Sequence, residues 1–188
     1  MMDKIRLLGL SLVVAMATSG CAQMSHLLAA PDTRPQLEAW GPGTVFPSVE
    51  AAAVDALIYT YLQARNGQDT DRMRAGTIER SGAGYTYREI HVANPLAQRR
   101  IEYPFAPHDV ARFHFYPQHT DRDVNRVSER LSPKDRRSVS VIDPLHRPLY
   151  VLHPSLVIRE YRGRNYETVE VADLQHRTSE TLFAGQSY

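Results

Sequence analysis

The segment SVEAAAVDALIYTYLQARNG, residues 48–67, has the clearest helical period in the chain, and it constrains the rest. Ser48 supplies an N-cap oxygen and Glu50 a negative charge in the first turn. Val54, Leu57, Ile58, Tyr61 and Leu62 fall on one stripe, and Asn66-Gly67 ends the period. A helix with one apolar stripe needs a surface to cover, and the chain beyond Gly67 consists mainly of short strand-like runs. AGTIER and GYTYREIHVA flank Ser81-Gly82-Ala83, a hairpin signal with glycine available for positive φ. In the second run Tyr85, Tyr87, Glu89 and His91 alternate with the residues between them. VARFHFY comes next, and SVSVID, PLYVLH, SLVIREY and YETVEV come later, separated by Pro144, Pro154 and Arg162-Gly163. One long helix, several short strands and a few minor helices make an α+β domain.

Between the two groups of strands lie two helix starts. Thr120 with Asp123 suits a capping box for a helix bearing Val124, Val127 and Leu131. Ser132-Pro133-Lys134-Asp135 repeats the signal, with proline at the first helical position. A chain of 188 residues with 43% hydrophobic and 23% charged residues is a prior for one domain.

The first twenty residues are of another kind. Lys4 and Arg6 precede an apolar run, LLGLSLVVAMA, and Thr18-Ser19-Gly20 lead into Cys21, the single cysteine of the chain. Eleven apolar residues suit a signal-peptide core, whereas a membrane-spanning helix needs about 20. One cysteine excludes an intramolecular disulfide and a cysteine-built metal centre. Lys4, Arg6 and Asp3 belong to this segment, so 20 basic and 20 acidic residues remain from Cys21 onward. That balance gives no electrostatic reason to expect nucleic acid as a partner. Residues 22–47 carry Pro31, Pro35, Pro42, Pro47, Gly41 and Gly43 without a sustained period and read as a tether. Trp40 within it is expected to pack on the domain.

Two resemblances attach to these residues. ATSGC resembles the lipobox of bacterial lipoproteins, which implies that Cys21 is acylated and becomes the mature N-terminus. Ala22 after it implies sorting to the outer membrane, facing the periplasm. The order FPSVEAAAVDAL, AGTIERSGAGYTY, VARFHFYP, LSPKD and SVSVIDPLHRPLYVLHPSLVIREYRG resembles a JAB/MPN metallopeptidase-like family of unknown function, found with RHS-repeat and polymorphic-toxin proteins. It covers residues 45–163 and implies a mostly antiparallel sheet flanked by two or three helices. The expected organisation is a signal peptide over 1–20, a lipidated tether over 21–46, the domain over 47–175 and a tail over 176–188.

Active members of that superfamily carry a glutamate on an early strand, His-x-His on a central strand and Ser-x-x-Asp at a helix start. Two histidines and the aspartate hold zinc, which lowers the pKa of its water to about 7 while the glutamate handles the proton. Aligned residue by residue, His114 takes the first histidine position, Ser132 the serine and Asp135 the aspartate. Tyr116 stands where the second imidazole belongs. No carboxylate occupies Met73-Arg74, where the glutamate position falls. His119 or His108 could complete a metal site with His114 and Asp135, and Glu79 or Glu102 could serve its water. His108, His119, His146 and His153 otherwise read as surface loop residues. The resemblance thus implies a degenerate pocket of His114, Tyr116, Ser132 and Asp135. The expectation is a lipid-anchored envelope protein that binds a protein or envelope component and needs no cofactor. A zinc-dependent peptide or isopeptide hydrolase and a purely structural lipoprotein are the alternatives.

Overall fold

The computed structural model describes residues 37–67, 71–88, 90–93, 106–137, 143 and 145–176, all within the unit Pro35–Tyr188. The signal segment and Cys21, most of SVSVID, Glu102 and the residues after His176 lie outside them. Helix α1 (Val49–Asn66) is capped as expected, with Ser48 Oγ accepting from Ala51 N at 3.0 Å. The sheet contains β1 (Arg74–Ser81), β2 (Gly84–Thr86), β3 (His91–Val92), β4 (Asp109–Phe115), β5 (Leu149–Leu152), β6 (Val157–Arg162) and β7 (Glu167–Asp173). Its order is β2-β1-β4-β5-β6-β7, with β3 also pairing β1. All pairs are antiparallel except β4 with β5. The α+β class with a mostly antiparallel sheet is therefore what the chain adopts.

The β1–β2 turn forms over Gly82, whose φ of 57° is the left-handed value that glycine adopts without a Cβ penalty. The second run does not continue as one strand. It breaks after Thr86, where Tyr87 becomes fully buried, and resumes as β3.

Parallel strands cannot be joined by a tight turn, so the link from β4 to β5 must cross over the sheet. That link contains α2 (Arg122–Ser128) and α3 (Pro133–Arg137). The N-cap of α2 is Asp121, one residue beyond the expected Thr120. Its carboxylate accepts from Asp123 N at 2.8 Å, and a carboxylate is the better acceptor for the exposed amides of a first turn. The expected apolar face of that helix does not form. It ends at Ser128, buries no residue and leaves Val127 exposed, while Leu131 is buried from the following turn.

Alternation along β4 separates two cores. Ala111, Phe113 and Phe115 face α1 together with Ile78, Tyr150 and Ile158. Leu149, Val151 and Tyr161 face the other way, with Tyr116 just past β4 and Leu131 from the crossover. Each fully buried aromatic or branched side chain contributes roughly 1.5–3 kcal/mol.

Helix α1 is buried around more of its circumference than the expected stripe, because Ala51, Ala52, Ala53, Asp55 and Ala56 are enclosed as well. Residues 37–46, expected as part of the tether, account for this. Phe46 is buried and pairs with Tyr85, and Asp55 accepts from Trp40 N at 2.8 Å, Gly41 N at 3.1 Å and Tyr87 Oη at 2.7 Å. Gly41 has φ of 88°, and a Cβ there would meet the Tyr59 ring at 3.3 Å. Burial raises the Asp55 pKa against the lowering effect of its three hydrogen bonds. Trp40 lies 5.9 Å from the Phe46 ring but stays 53% exposed, a rim contact.

Candidate functional site

Four residues that the sequence brought into question meet at the carboxyl end of β4. His114 and Tyr116 are two apart on an extended chain, so both side chains project to the face opposite α1. The crossover returns over the same end, where Ser132 caps α3 by accepting from Asp135 N at 3.1 Å. Asp135 is thereby held above the strand. His114 Nδ1 lies 3.1 Å from Asp135 Oδ1. Tyr116 Oη donates to Asp135 Oδ2, Ser132 Oγ donates to the same oxygen at 2.7 Å, and Ser132 N donates to Tyr116 Oη at 3.3 Å. The cluster closes on itself.

Its electrostatics follow from that closure. Burial pushes the Asp135 carboxyl up, but the positive charge and polar contact of His114, with the hydrogen bonds from Tyr116 and Ser132, outweigh it and hold Asp135 well below the usual carboxylate range. Burial, followed by the Asp135 charge, drives the Tyr116 phenol above its ordinary value, so it remains a neutral donor. The side chains of His114 and Asp135 are 10% and 8% exposed, so solvent reaches the pair poorly.

Tyr116 leads into a second buried group. Its ring meets His153 edge-on at a centroid distance of 5.6 Å. His153 is fully buried, contrary to the expected surface loop position. Its Nδ1 lies 2.9 Å from Ser128 O and its Nε2 2.8 Å from Tyr161 Oη. A carbonyl only accepts, so Nδ1 carries the proton and Nε2 accepts from the tyrosine. Burial lowers the His153 pKa, with the nearby Arg159 charge adding to it, so the neutral ring is the one that fits. Glu129 secures the crossover by accepting from Ser155 N at 2.6 Å and Ser155 Oγ at 2.8 Å.

Among the described residues, none of those considered as completing a zinc site joins His114 and Asp135 in a three-ligand set. Ala75 is the register partner of His114, so the β1 position beside the histidine holds no carboxylate. Glu79 is four residues further along β1, about 13 Å away at strand spacing, and His108 is six residues back along the chain, about 20 Å away. His119 binds Asn125 through its backbone, with His119 N donating to Asn125 Oδ1 at 2.7 Å. Among the described residues, one set of three or more His, Cys, Asp or Glu side chains has its ligand atoms within 4.8 Å of one another. It is Glu79, His108 and Asp109, and it includes neither His114 nor Asp135. A catalytic zinc needs three protein ligands and an open position. His114 and Asp135 offer two, and both carboxylate oxygens already have partners. The residues at this end of β4 do not fit that metal.

Sequence reasoning missed Asp55, Tyr87, His153 and Tyr161. Asp55 gave one signal, an aspartate inside the apolar run AAAVDALI where solvent cannot be its partner. Comparison with protein-family models, curated proteins and solved structures finds no match to the chain.

Proposed function

We propose that this chain is a lipid-anchored protein of the bacterial envelope whose JAB-like domain binds a protein or envelope component and does not hydrolyse it. The observation that carries the non-hydrolytic half is the Tyr116 contact. A phenol stands at the second imidazole position and donates to Asp135, the other ligand the chemistry would need. The β1 position paired with His114 is Ala75, so the glutamate that would serve as general base is not supplied there, which supports the same reading. The order of His114, Tyr116, Ser132 and Asp135 along a central strand and a following helix start supports the JAB-like reading.

The anchored half rests on the basic start, the short apolar run and Cys21 after Gly20. Among the described residues no helix is long and apolar enough to cross a membrane. Acyl chains contribute about 0.8 kcal/mol per buried methylene, so a di- or triacylated Cys21 would hold the domain to an outer membrane facing the periplasm.

The test has two arms. Metabolic labelling with palmitate should mark the wild-type chain, and Cys21→Ser should abolish the label and release the protein from the membrane fraction. Labelling that survives in Cys21→Ser defeats the anchor. Full-length protein supplied with zinc should cleave no peptide or isopeptide substrate. Cleavage that is lost on replacing His114 or Asp135 defeats the binding reading and establishes the hydrolase.

A further inference from the structure

The opposite end of β4 carries a cluster with different properties. Glu79 on β1 and Asp109 on β4 are register partners, and a β-bulge falls between Ile78 and Glu79, where the pairing shifts. Bulges re-aim side chains. His108 precedes Asp109 at the strand entrance. Its Nε2 is 3.2 Å from Glu79 Oε2 and 4.0 Å from Asp109 Oδ1.

The turn that presents these groups is tightly held. Ala106 N donates to Asp109 Oδ2 at 2.6 Å, Asp109 N donates to Ala106 O at 3.1 Å, and Arg147 Nη1 donates to Asp109 O at 2.9 Å. Arg147 is itself clamped by Asp143, with Nε donating to Oδ2 at 3.0 Å. The Asp109 side chain is only 4% exposed. One of its oxygens is committed to Ala106, and the other faces His108 across a gap that a hydrogen bond does not span. A buried carboxylate oxygen aimed at an imidazole nitrogen and a second carboxylate fits a cation placed between them.

We propose that Glu79, His108 and Asp109 form a binding site for one divalent transition-metal ion of the zinc type, held by His108 Nε2 and one oxygen from each carboxylate. The donor set, one imidazole and two carboxylates, suits such ions. Metal–ligand bonds near 2.1 Å put tetrahedral ligand atoms roughly 3.4 Å apart, so the Glu79–His108 spacing fits as it stands and the His108–Asp109 spacing closes by about half an ångström. His108 is 63% exposed and can make that movement, and the same exposure leaves the remaining coordination positions open to solvent. Arg88 Nε sits 2.6 Å from Glu79 Oε1, the oxygen that His108 does not face. It therefore competes for charge without blocking the ligand atom. The site is independent of the His114 cluster.

Full-length protein in detergent, stripped with a chelator, is titrated with zinc by calorimetry and with cobalt(II) by visible absorption. One equivalent should bind. His108→Ala and Glu79→Gln should each weaken binding by at least about tenfold, since losing even a ligand's supporting partner costs 10–100-fold. Arg88→Ala should tighten binding several-fold by removing the competing cation, and His114→Ala should leave it unchanged. Zinc should raise the melting temperature of the wild type and not of His108→Ala. Glu79→Gln preserves side-chain shape and separates ligand loss from misfolding. No stoichiometric uptake, uptake unaffected by both ligand variants, or uptake lost in His114→Ala would each overturn the site.

Discussion

Strand β4 and its flanks hold a histidine–carboxylate cluster at each end, and the two are built in opposite ways. At the carboxyl end, His114 and Asp135 are shielded, and the carboxylate is supplied with donors by Tyr116 and Ser132. At the amino end, His108 is exposed and Asp109 keeps one oxygen turned toward it beyond hydrogen-bond reach. The same residue types therefore lead to different chemistry. Where neighbours satisfy every oxygen, the cluster contributes stability and has little left for a ligand. Where a rigid turn leaves one carboxylate oxygen uncommitted beside an exposed imidazole, the cluster has ligand capacity and contributes little to folding.

The largest test of this contrast is Asp135→Ala. Removing the acceptor strands a buried imidazole, a buried phenol and a serine hydroxyl, so the domain should lose about 3–5 kcal/mol in urea unfolding. A loss below about 1 kcal/mol would mean that the carboxyl-end cluster is not closed. Tyr116→Phe keeps the ring against His153 and removes only the hydroxyl, which donates to Asp135 and accepts from Ser132 N, and should cost about 1–3 kcal/mol. Tyr116→His sharpens the comparison differently. It supplies a second imidazole and should give the carboxyl end a zinc affinity absent from the wild-type cluster, read as a second equivalent that His114→Ala abolishes.

A smaller effect concerns pH. The folded state depresses the His153 pKa, so the unfolded chain binds the proton more readily and stability falls as pH drops below the ordinary histidine value of about 6.5. His153→Asn should flatten that slope between pH 7 and 5, as followed by melting temperature. An unchanged slope would assign the dependence to another group. The smallest effect is expected at the amino end. His108→Ala, measured without metal, should shift stability by no more than about 0.5 kcal/mol, because an exposed side chain with one carboxylate contact carries little folding energy.

Much of the fold was legible because its signals are local. Ser48 and Gly67 bound α1, Gly82 turns the hairpin, and Ser132 opens α3, each through a backbone need that the residue type announces. The runs PLYVLH, SLVIREY and YETVEV became strands for the same reason. Of the candidate site, His114, Tyr116, Ser132 and Asp135 were grouped by the resemblance alone, and the side chains do lie in contact. What was not legible depends on partners distant in sequence. Asp55 reads as a flaw in an apolar run until Trp40, Gly41 and Tyr87 deliver their donors. His153 reads as a loop residue until Ser128 and Tyr161 enclose it. Glu79 and Asp109 lie 30 positions apart in sequence and become neighbours only through the β1–β4 register. Thr120 and Asp121 can both serve as a cap, and Asp121 caps α2 with the stronger acceptor for the first-turn amides.

The grip of Asp55 on Trp40 and Gly41 sets a geometric limit for an anchored protein. Because residues 37–46 are fastened to α1 and to Tyr85, only the residues between Cys21 and Leu37 can separate an acylated Cys21 from the folded body. Sixteen or so peptide links extend to no more than roughly 55 Å. If Cys21 is acylated as proposed, that length is the upper limit on the distance between the lipid and Leu37.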